Sequence, residues 1–482
     1  MLNNLINNKS KIYFFIPLLI IFSFYLSHLF FFAPFWPMNA DTLFKLYFVN
    51  NSETFNIYNH QHLRWGSYFL YAIVNFFLEI NYLYIVIISF IFFIISVIIF
   101  TYIVHTNFGL LYSLIFLLFF ITSKSLSFEI FSYSVVNQTL LPLSIFFGFV
   151  SYLKNKDLDL KIAFILSILM FWIYGIKETN IFFFAFLIFF DIFRNNLKFV
   201  LKIILILLIF YIIETVIINY LYEGKIIYLG KLQALLFGGL HIQTMQNYNW
   251  SQVSNNLERF FVIFYRWYSA REWDTSIFYI SLLVCIFITT HKDNKLFEGN
   301  YLVSLNSNLF ISFFVISTFF VVSLFPIILG QPLNTRFLTI LLPFSFISIL
   351  FFIKLIIDNT FSKFISLLLI FLFLTTFFSK PIYSLYKENE NWGYLSLSSH
   401  YKNSIWERQN QFNEFNKNLN NFDCIIIESI NPHVESILDY LQIFVKSKNI
   451  HRYFVKDNYF KNQNSNKCIK KIIIHENKIT YL

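Results

Sequence analysis

The chain has 482 residues, of which 57% are hydrophobic and only 13% charged. Apolar runs of about 20 residues, the length that crosses a bilayer core, recur along it and exclude a soluble single-core protein. The net charge of +10 is carried largely by lysines in short loops between those runs, where it sets membrane orientation, so no nucleic-acid partner is expected.

Lys9 and Lys11 precede an apolar run at 12–33 that lacks a small-residue cleavage site. It reads as an uncleaved signal anchor with the amino end in the cytoplasm. A polar stretch follows, in which Pro34, Pro37 and Asn39 stop the first helix and Asp41 opens the amphipathic run DTLFKLYFVNN. Further apolar runs fall at 65–79, 81–104, 108–123, 136–153, 160–175, 179–193, 197–220, 275–291, 308–329, 334–356 and 361–379. The run at 65–79 is short, begins at Arg64-Trp65 and ends at Glu79; it suits an interfacial or re-entrant helix.

Charge parity favours that assignment. If 65–79 does not cross, then Lys154, Lys156, Lys161, Arg194, Lys198, Lys292, Lys295, Lys354 and Lys363 all fall on the cytoplasmic side. Only Lys124, Lys177 and Arg336 then lie in short outer loops. The expected fold is a polytopic α-helical membrane protein with about 11 transmembrane helices over 1–379 and outer loops at 34–80 and 221–274. The eight Trp (36, 65, 172, 250, 267, 273, 392 and 406) then all lie on the outer side or in the tail; an interfacial aromatic belt is the plain reading, and the one-sidedness, which a belt alone does not give, also suits an outer sugar-stacking surface. The 68 Phe read as packing and lipid-facing residues, without functional weight.

Residues 380–482 are more polar. They contain strand-like runs in FDCIIIE (422–428), HRYFV and KKIIIHE, and a helical pattern in HVESILDYLQIF, and read as a small exported α/β domain. It has no glycine-rich phosphate loop and receives no catalytic role. Of the three Cys, Cys285 lies within a span, while Cys424 and Cys468 each begin an apolar run. Those two are either a disulfide in an exported domain or two buried thiols.

The residues that carry chemistry gather at the outer ends of spans. Asp41 is placed at headgroup depth, where partial desolvation raises a carboxylate's proton affinity and suits a general base; its alternative role is a helix N-cap. In HQHLRWG, the i, i+2 spacing of His60 and His62 supports metal ligation weakly, and no metal site is assigned. Arg64 either snorkels to lipid phosphates or holds the phosphate of a lipid-linked donor. Lys177-Glu178 interrupts an otherwise continuous apolar stretch; it is either a tight hairpin or a substrate contact. Glu129 is the other outer carboxylate able to approach Asp41, with a solvated loop residue as its plain alternative. Arg336 opens a span with no acidic neighbour in sequence, as a phosphate-binding fork would. Arg266, within FYRWYSAREWD, belongs either to a carbohydrate surface or to an interfacial anchor. Glu214, inside a span, is either a functional group or a helix-pairing one.

Together these features resemble the GT-C superfamily of integral-membrane glycosyltransferases. Asp41 matches the position of that family's first-loop carboxylate, HQHLRWGSYFL resembles its interfacial segment, YGIKETN resembles an outer turn bearing a Lys near the donor phosphate, and QPLNTRFLTILLP resembles a later outer Arg before a span. A single Asp41 stands where the protein mannosyltransferase-like branch has an adjacent Asp-Glu pair, and the chain looks closer to bacterial enzymes that decorate surface polysaccharides. The resemblance implies an inner-membrane enzyme with a periplasmic or extracellular C-terminal domain. It would transfer sugar from a polyprenyl-phosphate donor to an acceptor hydroxyl on a glycan or lipid-linked acceptor, with inversion. Asp41 would be the base, with Lys177, Arg336 and Arg64 stabilising the leaving phosphate. No cofactor is expected, and a divalent metal is left open. Two other readings stand beside it: an O-antigen polymerase or ligase relying on Arg and His in the large loop, and a lipid-linked oligosaccharide transporter.

Overall fold

The computed structural model describes residues 13–32, 64–67, 69, 73, 77, 82–127, 129–130, 134–153, 158–177, 180, 196–221, 280–285, 313–314, 317, 339–359, 414, 417–418, 421–422, 424–429, 449–454, 470–475 and 478–481. Among them the major helices are α1 (Phe15–Phe32), α2 (Tyr82–Phe108), α3 (Leu110–Thr122), α4 (Lys124–Ser127), α5 (Val135–Tyr152), α6 (Leu160–Ile176), α7 (Leu197–Leu221) and α8 (Leu342–Asn359). Three stretches, Ile87–Phe108, Val135–Tyr152 and Leu197–Tyr220, are long and apolar enough to cross a membrane, and α1, α3, α6 and α8 contribute shorter apolar helices.

Local chemistry sets the helix ends. Gly109 separates α2 from α3 at φ 96°, a left-handed conformation that a side chain would strain. Ser134 caps α5 by accepting from the N–H groups of Val136 and Asn137, both at 3.1 Å, and Asp159 caps α6 by accepting from Ile162 N–H at 2.8 Å. Between the helices the core is aromatic. Phe93, Phe100, Phe116, Phe119, Phe120, Phe146 and Phe147 are fully buried. Phe344 of α8 lies 4.2 Å from Phe313 and 4.9 Å from Phe147, centroid to centroid. Among the described residues these Phe are packing residues, whereas Phe15, Phe77 and Phe164 are exposed.

Pairs of contacts along each interface fix helix directions. Phe14 packs on Tyr102 and Tyr25 on Phe93, so α1 runs antiparallel to α2. Asn137 reaches the Ser89 carbonyl and a Cβ on Gly148 would touch Ile99, so α2 and α5 are parallel. Phe344 meets Phe100 and Phe351 meets Phe108, so α8 runs with α2. Ser167 reaches the Ile203 carbonyl, Phe171 meets Phe210 and Tyr174 meets Tyr211, so α6 and α7 are parallel too. The chain accordingly returns to its starting end between Lys177 and Asn196.

The two ends of this bundle differ. At one end lie the exposed Lys161, Lys198 and Lys202, with Lys354 poised 5.7 Å over the Phe108 ring. The other end carries the start of α5, the finish of α6 and the residues 64–67. The start of α2 is at that same end, because Ser89 lies at the level of Asn137. Arg64 and Tyr82 thus bracket a segment that begins and finishes at one end of the bundle.

Towards the carboxyl terminus, β1 (Cys424–Ser429), β2 (Asn449–Phe454), β3 (Lys471–His475) and β4 (Lys478–Tyr481) form a four-stranded sheet of order β2-β1-β3-β4. The first three strands are parallel and β4 is antiparallel to β3. The runs expected at 422–428, 451–455 and 470–476 correspond to β1, β2 and β3, whereas β4, only 4 residues long, was not anticipated. Phe422 packs 5.6 Å from Tyr481, centroid to centroid. Burial raises the pKa of the Tyr481 phenol, a hydrogen bond with Asn418 lowers it and the charge of Glu414 raises it. The expected helix at 433–444 and Cys468 lie outside the described residues.

Candidate functional site

The polar end of the bundle is built on a close backbone joint. Residues 65–67 are helical and lie directly on the last turn of α6: a Cβ added to Gly66 would come within 2.5 Å of both Gly175 C and Ile176 N. Only glycine permits that approach. The Ser67 hydroxyl donates to the Ile176 carbonyl at 3.2 Å, and the Trp172 indole N–H donates to the Gly66 carbonyl at 3.2 Å. Phe69 and Trp172 close the contact edge to face at 5.5 Å. Farther along, Ile73 and Phe77 are exposed, so the segment is anchored at its start.

Arg64 immediately precedes this joint and Lys177 immediately follows it. Their relative exposures are 7% and 8%, so both cations are withdrawn from solvent although they stand far apart in sequence. Lys177 is the C-cap of α6, where the helix dipole favours positive charge.

Two carboxylates belong to the same end. Glu214 of α7, 6% exposed, accepts a 2.6 Å hydrogen bond from the Trp65 indole N–H; this ties the joint to a third helix. Glu129, 4% exposed, accepts from the Ser134 hydroxyl that caps α5. It is therefore not the solvated loop residue that was one of its two readings.

An amide network that the sequence reading passed over links these parts. Asn137 Nδ2 donates to the carbonyls of Ser89 and Glu129, both at 2.9 Å. Asn180 Nδ2 donates to Thr139 Oγ1 at 3.2 Å and to the Ile173 carbonyl at 3.1 Å. The available signal was the run Asn137-Gln138-Thr139 inside an apolar span, since consecutive polar groups at membrane depth need internal partners.

Of the residues singled out from sequence, Arg64, Glu129, Lys177 and Glu214 come together at this end. Asp41, His60, His62, Glu178, Arg266 and Arg336 lie outside the described residues. Among the described residues no group of three or more His, Cys, Asp or Glu is placed to hold a metal ion.

The fold so far defines a helical protein with three helices suited to crossing a membrane. Comparison of the chain with protein-family models, curated proteins and solved structures found no match.

Proposed function

We propose that this chain is an integral-membrane glycosyltransferase of the GT-C kind, moving a sugar from a polyprenyl-phosphate donor to an acceptor hydroxyl with inversion. The observation that carries the reading is the placement of Arg64 and Lys177. Two buried cations flank one glycine-built joint at one end of an apolar bundle, which is where the phosphate of a lipid-held donor sits. A guanidinium and an ammonium there stabilise the charge that develops on the leaving phosphate. Asp41 is the proposed base, and Arg336 a further phosphate contact.

The proposed orientation draws support from the same end of the bundle. Exposed lysines gather at the end opposite Arg64 and Lys177, which by the positive-inside tendency is the cytoplasmic one. In that orientation the joint at 65–67 stands at the outer end of the bundle, and the tail from 380 belongs to an exported domain of a bacterial inner-membrane enzyme.

The test is transfer by the protein in nanodiscs, using a panel of undecaprenyl-phosphate hexoses and a surface-polysaccharide acceptor. Asp41→Asn is expected to abolish turnover. Lys177→Ala is expected to lower kcat by about 10²–10³-fold, the scale of losing one transition-state donor. Transfer that survives Asp41→Asn but vanishes on loss of Arg266 would instead establish the polymerase or ligase mechanism.

A further inference from the structure

The parallel helices α6 and α7 both begin at the lysine-bearing end of the bundle. The Ser167 hydroxyl reaches the Ile203 carbonyl across their interface, so those two residues stand at one height. Lys161 and Lys198 lie six and five residues nearer the helix starts, about 9 Å and 7.5 Å below that contact at the helical rise per residue. The two lysines therefore share one level, and Lys202 stands about one turn above Lys198.

They also share one flank. Viewed from the helix starts, successive residues advance clockwise by about 100°. With the Ser167–Ile203 contact as the line between the helices, Phe164, Ile168 and Lys161 lie about 60°, 100° and 120° clockwise of it on α6. On α7, Ile213, Lys202, Ile209 and Lys198 lie about 80°, 100°, 120° and 140° counter-clockwise. For two parallel helices that face each other, clockwise on one and counter-clockwise on the other are the same side. All three lysines are exposed there.

Apolar side chains continue this flank toward the middle of the bundle. Phe164 packs on Phe210 across the seam at 5.8 Å, centroid to centroid, yet stays exposed, as do Ile168, Ile209 and Ile213. Neither helix puts an acid on it. The sole acid within the two helices, Glu214, is buried at the far end against Trp65, and Asp159 is held as the cap of α6, accepting from Ile162 N–H.

We propose that this flank binds an anionic phospholipid, its phosphate held by Lys161, Lys198 and Lys202 and an acyl chain laid over Phe164, Ile168, Ile209 and Ile213. Charge complementarity selects the headgroup: three ammonium groups on flexible stems converge on one phosphate diester, whose charge a zwitterionic lipid offsets with its own cation. The apolar seam selects a lipid over a free phosphate, because a soluble anion gains nothing from it. Assigning the lipid to the cytoplasmic leaflet rests on the proposed orientation; the site itself rests neither on that nor on the glycosyltransferase reading.

The experiment offers equal amounts of phosphatidylglycerol and phosphatidylcholine to the full-length protein in detergent and counts bound lipids by native mass spectrometry. Phosphatidylglycerol should be retained preferentially. Lys161→Gln, Lys198→Gln and Lys202→Gln should each lower that preference about fivefold, the factor one cation contributes at an anionic surface, with unchanged thermal unfolding in lipid-free detergent. Lys354→Gln, which removes a cation at the same end but on α8, should leave the preference intact. Equal retention of both lipids, wild-type preference in all three variants, an equal loss on Lys354→Gln, displacement of the lipid by inorganic phosphate, or a two-chain mass that these lysines control would overturn the site. If the protein transfers no sugar from any donor yet shows lysine-dependent retention, the enzyme reading falls and the site stands.

Discussion

At Gly175 the Trp65 indole already occupies the space a side chain would need: an added Cβ would meet ring atoms at 2.6 Å. Gly66 is tighter, because its would-be Cβ meets backbone, which cannot rotate away. Gly66→Ala is accordingly expected to destabilise the solubilised protein by about 1–3 kcal/mol, the usual cost of overpacking. Gly148→Ala, which meets only the Ile99 side chain at 3.1 Å, should cost less; thermal unfolding of the two in one detergent decides it. The Trp65–Glu214 hydrogen bond gives a second contrast. Trp65→Phe removes the donor from a buried carboxylate and should cost about 1.5–3 kcal/mol, as for hydrogen bonds to charged groups. Glu214→Gln keeps an acceptor oxygen for the indole and should be milder. If the two variants unfold alike, the hydrogen bond is not what holds the joint. Sequence showed Arg64, Lys177 and Glu214 as charges out of place in apolar surroundings, but not that a pair of glycines joins their segments. That information lies in a contact between residues more than 100 positions apart, which no local pattern encodes.

The parallel packing of α6 and α7 is a claim about elements, and cross-linking reads it directly. Ser167→Cys with Ile203→Cys should be joined rapidly by a short bifunctional thiol reagent, because the Ser167 hydroxyl reaches the Ile203 carbonyl at 3.4 Å. Tyr174→Cys with Tyr211→Cys should join as well, the rings being 6.5 Å apart. A mixed pair, Ser167→Cys with Tyr211→Cys, should not. Efficient joining of the mixed pair alone would mean the helices run the other way. The apolar runs were legible because membrane helices must satisfy their backbone internally and so announce themselves by length and composition. Their neighbours were not, since lipid-facing and core-facing Phe and Ile look alike. Leu201, Ile204 and Leu208 are exposed whereas Phe199 and Ile203 of the same helix are buried, and nothing in their chemistry distinguishes the two sets. β4 was missed for a related reason: four residues carry too short a pattern to separate from a turn.

Orientation belongs to the whole molecule, and it turns on the segment between Arg64 and Tyr82. Counted as a crossing, it would reverse the side of every later loop. The geometry opposes that count, because Trp65 meets Gly175 at the finish of α6 and α2 sets out from the same end, with Ser89 bonded to Asn137 near the start of α5. Exposed Lys161, Lys198 and Lys202 lie at the far end, which the proposed orientation takes as the cytoplasmic face. A reporter active only when exported should be active when fused after residue 400 and inactive when fused within residues 154–157, and a reporter active only in the cytoplasm should show the reverse. Inverting both results would put Arg64 and Lys177 on the cytoplasmic side, where nucleotide-activated sugars are available and the proposed polyprenyl-phosphate donor is no longer required. One pair of fusions thus decides not only the topology but also which class of donor the proposed function would require.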